Sequence, residues 1–261
     1  MQISEVDVGN LILRAGSKYL EGLTTVDVAV VGAGPSGLVA SRYMARAGLR
    51  VLVVERRFSP GGGIGSGGNM FPTVVVQEEA LPILREFGVS TRESSGPLYA
   101  VDAAELLIKL SYGALDAGVR ILLGANVDDV IVRGDPPRVS GILWIWTPIQ
   151  VSGMHVDPLY IESRAVLDAT GHDAEVVSIA SKKNPGLGIR VQGELSCWAD
   201  EAERLVVERT GRVAPGLYVT GMAVGAVHGL PRMGPIFGGM LLSGKRAAEI
   251  IARDLGVSRC P

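Results

Sequence analysis

The stretch that most constrains the fold is residues 26–57, VDVAVVGAGPSGLVASRYMARAGLRVLVVERR. A β-branched run leads into a glycine-rich turn, a helix-like segment follows, and a second apolar run, VLVVE, ends in an acid. This order predicts a βαβ unit whose two strands lie parallel in a buried sheet. We therefore expect an α/β fold.

The turn of this unit has the pattern GxGxxG, formed by Gly32, Gly34 and Gly37, and Glu55 ends the second strand. The first glycine permits a tight turn, the second lets the backbone approach a pyrophosphate, and the third allows close packing of helix and strand. The helix start favours an anion, and the terminal acid can accept hydrogen bonds from ribose hydroxyls. Since all these parts occur in register, they predict a dinucleotide site rather than a glycine-rich turn without a ligand.

Further patterns extend the α/β interpretation along the chain. They comprise helix-like segments at 9–23, 76–87, 102–117 and 237–254, a β-rich segment at 120–150, and strands at 165–171 and 216–224. The first helix lies outside the βαβ pattern and is predicted to be an interface element. The β-rich segment predicts an antiparallel layer inserted into the parallel sheet. Without a linker or repeat, we expect residues 1–261 to form a single dinucleotide-binding domain.

Residues 58–70, FSPGGGIGSGGNM, are too rich in glycine for a stable element. Two interpretations remain open for them: a backbone that wraps a ligand, or a flexible surface loop.

Composition limits the classes of function. The chain has 261 residues, 47% of them hydrophobic, which is enough for one large core. A net charge of -2 gives no electrostatic basis for binding nucleic acid or an anionic membrane. No apolar run reaches the roughly 20 residues that cross a bilayer, and the acidic first ten residues are unlike a secretory signal.

The cysteines are Cys197 and Cys260. They are too few for a disulfide framework or a four-cysteine metal site, so a cytoplasmic location is expected. We predict that Cys197 is partly buried and that Cys260 lies on a frayed terminus.

Several motifs together resemble known families. The GxGxxG turn, ATG at 169–171 and GLYVTGM at 216–222 resemble flavoproteins of the two-dinucleotide-binding, glutathione-reductase type. The motifs ERRFSPGGG, MHVDP, DATGHD and GMAVGAVHGLPRMGPIFGGMLLSGKRAAE are more specific, and with them nearly the whole chain resembles the thiazole synthases of thiamine biosynthesis. The resemblance implies a Rossmann-like parallel sheet of the glutathione-reductase type.

The resemblance also implies a reaction in which NAD is a substrate. Nicotinamide leaves, the ADP-ribose part condenses with glycine, sulfur is added, and adenosine diphosphate 5-(2-hydroxyethyl)-4-methylthiazole-2-carboxylate is formed. Fe(II) is the implied cofactor, and a ring-shaped octamer whose neighbouring subunits share the metal is the implied assembly. Two other enzyme functions stay open, a flavin-dependent oxidoreductase and a ribose-1,5-bisphosphate isomerase. A non-catalytic nucleotide-binding protein is the least favoured alternative.

The binding positions of the family carry over to this sequence residue by residue. The dinucleotide positions are Gly32, Gly34, Ser36, Gly37, Glu55, Arg56, Gly63, Val127, His155 and Met222. Arg232 matches the position that binds the glycine carboxylate, a role that suits its planar fork of donors. Asp157 and His172 match the iron ligands, and carboxylate oxygen and imidazole nitrogen suit Fe(II). From the residues alone, an Asp-Pro turn and a helix-capping His-Asp pair remain open.

His155 bears on the source of sulfur. The fungal and plant branch of the family carries a cysteine at this position and gives up that sulfur in a single turnover. A histidine cannot do so, and the resemblance therefore points to the archaeal-type branch, which takes sulfide from solution and turns over repeatedly. We expect His155 and Asp157 to be catalytic. For His155 three roles remain open: filling space, general acid or base, and contact with substrate, of which we expect the last.

Overall fold

The computed structural model describes residues 3–257. Its helices are α1 Glu5–Glu21, α2 Pro35–Arg46, α3 Leu81–Glu86, α4 Ala103–Asp116, α5 Thr147–Ser152, α6 Glu175–Lys183, α7 Ala199–Arg209, α8 Met222–His228 and α9 Gly238–Asp254. Its strands are β1 Thr25–Val31, β2 Val51–Glu55, β3 Thr73–Gln77, β4 Thr91–Ser95, β5 Leu98–Asp102, β6 Arg120–Leu123, β7 Ala125–Arg133, β8 Arg138–Trp146, β9 Leu159–Asp168, β10 Leu195–Cys197, β11 Gly211–Ala214, β12 Leu217–Val219 and β13 Pro231–Arg232.

The central sheet has eight strands, and its main path runs β11-β12-β9-β1-β2-β6. Every step from β12 to β6 is parallel, so the carboxyl ends of these strands share one edge. The pairing of β1 with β2 confirms the βαβ unit predicted for residues 26–57. The chain leaves β1 towards β2, whereas β9 returns on the other side of β1. Such a reversal of strand order leaves a crevice for ligands at the carboxyl edge.

Both faces of the parallel strands are buried. In β1, Val28 and Val30 pack into one hydrophobic cluster with α2, α4 and α9. Ala29 and Val31 point to the opposite face and pack into a second cluster with α6, α7, α8 and the β7–β8 pair. Burial on two faces explains why these strands are continuous apolar runs in the sequence.

The antiparallel strands of the 120–150 segment belong to the same sheet. Strands β7 and β8 pair antiparallel, and β8 pairs with the first part of β9, whose later part pairs with β1. Strand β6, at the start of the segment, is parallel to β2 and extends the main sheet. A separate antiparallel sheet, in the order β3-β5-β4, lies outside the segment where an antiparallel layer was expected.

Two local predictions are wrong. Residues 73–77 form β3, and only Leu81–Glu86 of the predicted 76–87 helix are α-helical. Val74 and Val76 alternate into the core while β3 pairs with the distant β5, and this long-range pairing overrides the helical spacing. The strand predicted at 216–224 ends at Val219, because Gly221, with a φ of 64°, turns the chain into α8.

The other helices agree with the prediction. Helix α4 begins after Asp102, whose side chain accepts a hydrogen bond from the backbone N–H of Glu105, and α9 covers the predicted 237–254 segment. Helix α1 is the predicted extra helix, and it contains no buried residue. Among residues 3–257, no helix has the length and apolar character needed to cross a membrane.

Candidate functional site

A cavity of about 440 Å³ opens at the carboxyl edge of the parallel strands. The ends of β1 and β2, the beginning of β7, the turn after β9 and the starts of α2, α6 and α8 all contribute to its wall. The predicted site residues that line it are Gly32, Gly34, Ser36, Glu55, Arg56, Gly63, Val127, His172, Met222 and Arg232. Gly37, His155 and Asp157 lie outside this lining.

The glycine turn has the three features expected of it. Gly32 has a φ of 103°, and a side-chain carbon there would lie 2.4 Å from the carbonyl oxygen of Ala169. At Gly37 the same carbon would lie 2.2 Å from the carbonyl oxygen of Gly32, so this glycine allows close packing without lining the cavity. Gly34 caps α2 and has open space where a side chain would project. The backbone at the helix start is therefore accessible to an anion.

Glu55 is held by the backbone around it. One carboxylate oxygen accepts a hydrogen bond from the N–H of Ala33 at 2.8 Å, and the other accepts from the N–H of Arg57 at 2.9 Å. The residue is only 6% exposed, yet it lines the cavity. Since each carboxylate oxygen can accept a second hydrogen bond, Glu55 is oriented to receive hydroxyl groups.

Arg56 already has a partner within the chain. Its guanidinium forms an ion pair with Glu175, the first residue of α6, and Thr147 donates a hydrogen bond to its carbonyl oxygen at 2.7 Å. Burial raises the pKa of the Glu175 carboxyl above its usual range, and the charge of Arg56 opposes that effect. The pairing reduces the capacity of Arg56 to bind a second anion. Sequence reasoning missed Glu175, which lies 119 positions from Arg56.

A second acid that sequence reasoning missed joins His172 to Arg232. The Nδ1 atom of His172 lies 2.9 Å from both carboxylate oxygens of Glu194. The Nε atom of Arg232 lies 3.5 Å from one of the same oxygens. This contact through Nε leaves the two terminal nitrogens of Arg232 for a bidentate contact with a carboxylate.

The turn that carries His172 is fixed by a buried aspartate. Asp168 accepts hydrogen bonds from the N–H and hydroxyl of Thr170, at 2.9 and 2.7 Å, and from the N–H of Val177 at 2.9 Å. Complete burial raises the pKa of the Asp168 carboxyl, although its hydrogen bonds act in the opposite direction. Asp168 thereby ties the end of β9 to the start of α6.

The two predicted catalytic residues lie on an exposed loop. His155 and Asp157 fall between α5 and β9, beside the exposed apolar side chains of Met154 and Val156. The part of the chain that the structure describes contains no group of three or more His, Cys, Asp or Glu that could hold a metal ion. One chain therefore brings His172, but not Asp157, to the cavity wall.

Cys197 is exposed, so the prediction of partial burial is wrong. It ends the short strand β10, which forms only a two-stranded sheet with β13 and is not covered by the core. In that sheet Cys197 is the register partner of Arg232. Cys260 falls outside the described residues.

Comparison with known proteins agrees with this architecture. The sequence model of the Thi4 family matches residues 10–237. The chain is 66% identical to thiamine thiazole synthase of Pyrobaculum arsenaticum over 251 residues, which cover 96% of each protein. It is 53% identical to thiamine thiazole synthase of Archaeoglobus fulgidus over 254 residues, or 97% of each. The crystal structure of Thermovibrio ammonificans THI4 superimposes with a TM-score of 0.94 at 43% identity and covers 98% of this chain and 99% of that one. The chain therefore belongs to the Thi4 family.

Proposed function

We propose that this protein is a thiamine thiazole synthase that consumes NAD, glycine and sulfide and releases nicotinamide. The observation that carries the proposal is the lining of one cavity, in which the GxGxxG turn and Glu55 share a wall with His172 and Arg232. The product is an adenylated carboxythiazole, and family membership over most of the chain supports this assignment.

In this proposal NAD lies along the carboxyl edge of the sheet. Its diphosphate meets the backbone of Gly34 and Ser36 at the start of α2, and a ribose hydroxyl pair meets Glu55. The adenine lies against Val127, while Arg232 holds the carboxylate of glycine. A cavity of about 440 Å³ is within the usual range for a cofactor site.

The residues present fit one half of an Fe(II) site. The carboxylate of Glu194 meets Nδ1 of His172, an arrangement typical of metal-binding histidines, and leaves the Nε2 lone pair available. We propose His172 and Asp157 as the protein ligands, with Asp157 supplied by a neighbouring copy. Bound Fe(II) would act as a Lewis acid and orient the reactants.

The surface around the Asp157 loop suits contact with another copy of the chain. Val151, Met154 and Tyr160 are exposed by 82%, 64% and 60%, and they lie on either side of His155 and Asp157. Helix α1 adds further exposed apolar side chains, among them Leu11, Ile12 and Leu13. Apolar surface of this kind is typical of interfaces. We propose a homo-oligomer, an octamer by analogy with the family, in which this loop reaches the cavity of a neighbour.

We propose sulfide from solution as the sulfur source, because His155 occupies the position of the donor cysteine. In this proposal His155 contacts substrate. Cys197 is exposed and is the register partner of Arg232, so it must be tested as a competing donor. Its replacement by serine removes the thiol with little change in volume.

Anaerobic incubation of the purified protein with NAD, glycine, Fe(II) and sulfide tests the proposal. We expect mass spectrometry to detect the adenylated thiazole in molar excess over protein, and we expect Cys197→Ser to give the same yield. Absence of the product, with metal loading verified, would overturn the function. A single product per chain that disappears in Cys197→Ser would overturn external sulfide as the donor. A stoichiometric flavin spectrum, or isomerisation of ribose bisphosphate without loss of NAD, would favour the alternatives.

A further inference from the structure

We propose that Glu194 is the positioning residue of the reactive end of the cavity, and that it sets the tautomer of His172 and the placement of Arg232 together. This inference rests on the proposed function, since it concerns the residues assigned there to the metal and to glycine. Glu194 is not among the site residues predicted from the sequence.

The backbone around Glu194 is fixed on both sides. The N–H of Gly193 donates to the carbonyl of Ala226 at 2.8 Å, and the N–H of Leu195 donates to the carbonyl of Leu230 at 2.9 Å. The side chain lies against Gly225 of α8, where an added carbon would be 3.3 Å from a Glu194 carboxylate oxygen. Only 12% of the Glu194 side chain is exposed. The carboxylate is therefore held in place before any ligand binds.

The contact with His172 determines which imidazole nitrogen carries a proton. An ionised carboxylate only accepts hydrogen bonds, so Nδ1 of His172 must donate to Glu194. In the neutral imidazole, Nε2 is then the nitrogen with the free lone pair. The His172 side chain is 50% exposed. Its contact with Glu194 therefore favours one orientation of the ring and one tautomer.

The contact with Arg232 makes Glu194 a shared counter-ion. A cation on His172 and the guanidinium of Arg232 would repel each other, and the negative charge between them reduces that repulsion. The same contact restrains an arginine whose side chain is 57% exposed. Removal of the charge should therefore weaken binding of a metal ion, and loss of the contact should change the affinity of Arg232 for a carboxylate substrate, without a direct effect on the end of the cavity proposed for the nucleotide.

Three variants test the proposal: Glu194→Gln, Glu194→Ala and the conservative Glu194→Asp. The matched control is Glu208→Gln, because Glu208 also pairs with an arginine, Arg204, but on the exposed face of α7. Metal binding is measured by titrating the metal-free oligomer with Co(II). The His172 tautomer is measured without metal by ¹⁵N NMR at a pH where the imidazoles are neutral. Only three histidines are present, and a His172→Gln spectrum assigns the signal.

We expect Glu194→Gln and Glu194→Ala to weaken Co(II) binding by about 10–100-fold, the usual effect of losing an outer-shell partner of a metal ligand. Both should change the KM for glycine more than the KM for NAD, and the His172 signals should move from the Nδ1–H form to a mixture of tautomers. Glu194→Asp should recover part of each effect, and Glu208→Gln should change none of them.

A folded, correctly assembled Glu194→Gln protein with unchanged Co(II) affinity and an unchanged His172 tautomer would overturn the proposal. Should Glu194→Ala fail to fold, the near-isosteric Glu194→Gln provides the same comparison. The tautomer measurement needs neither metal nor substrate. A wild-type protein that makes no thiazole, yet whose His172 tautomer depends on Glu194, would refute the proposed function and leave the positioning role intact.

Discussion

The two ends of the cavity are built in different ways. At the end proposed to bind the nucleotide, Gly32, Gly34 and Glu55 come from one βαβ unit. Backbone N–H groups hold the Glu55 carboxylate, and the backbone of the glycine turn forms the rest of the proposed binding surface. At the reactive end, His172, Glu194 and Arg232 come from three separate segments and interact through side chains. Asp157 lies on an exposed loop outside the same cavity. In our proposal the nucleotide end is complete in one chain, whereas the reactive end requires tertiary contacts and a second copy.

Loss of a proposed metal ligand should give the largest effect and separate the two ends. We expect Asp157→Ala and His172→Ala each to lower turnover by more than about a hundredfold, above the range for outer-shell partners. NAD affinity should stay unchanged because neither residue is assigned to the dinucleotide. Anaerobic turnover assays and calorimetric titration with NAD measure the two quantities. A loss of NAD affinity as large as the loss of turnover would contradict the separation of the two ends.

The nucleotide end can be divided further by two alanine substitutions. Gly37→Ala should destabilise the protein by about 1–3 kcal/mol or more, since its side-chain carbon would lie 2.2 Å from the Gly32 carbonyl oxygen. Gly34→Ala should leave stability unchanged and weaken NAD binding, because its side chain enters open space beside the start of α2. Denaturation curves and NAD titrations check both results. Equal destabilisation by both substitutions would contradict this division.

Release of Arg56 should change nucleotide preference by a smaller amount. In Glu175→Gln the guanidinium loses its ionic partner and becomes available to a 2′-phosphate. We expect affinity for NADP relative to NAD to rise by roughly tenfold, since one charge-assisted hydrogen bond contributes about 1.5 kcal/mol. Competitive titration of both nucleotides measures the ratio, with Glu208→Gln as the control. An unchanged ratio would show that Glu175 has no part in nucleotide choice.

Acidification should reproduce part of that change in the unmodified protein. Burial raises the pKa of Glu175 above the ordinary 4.5, so its carboxyl binds a proton as pH falls through that raised value and releases Arg56. The NADP-to-NAD affinity ratio of the wild type should rise on acidification towards that of Glu175→Gln. The 2′-phosphate of NADP also binds protons in this range, but it does so equally with both proteins. Comparing the affinity ratio of the wild type with that of Glu175→Gln at each pH therefore removes this contribution. If the difference in this ratio between the wild type and Glu175→Gln stays constant with pH, Glu175 is not the titrating group.

The contrast between the ends also explains what could be predicted from sequence. The glycine turn, Glu55 and the strands that flank them lie close together in sequence, so their spacing is enough to predict the structure. Glu194 was missed because its partners are distant in sequence, 22 positions away in the case of His172. No local pattern in GIRVQGELSCWAD marks it as a binding residue. The last two residues of β3 were taken for the start of a helix for a related reason, since the pairing partner β5 is separated from β3 in sequence.

Mixing two inactive variants tests most directly whether the reactive end is assembled across copies. Asp157→Ala and His172→Ala subunits are combined under conditions that exchange subunits, and turnover is compared with that of each variant alone. If each site takes His172 from one chain and Asp157 from another, about a quarter of the sites in a random equal mixture regain both residues. We predict recovery of turnover to about that fraction of wild type. Mixed oligomers that form but stay as inactive as their parents would contradict the shared site.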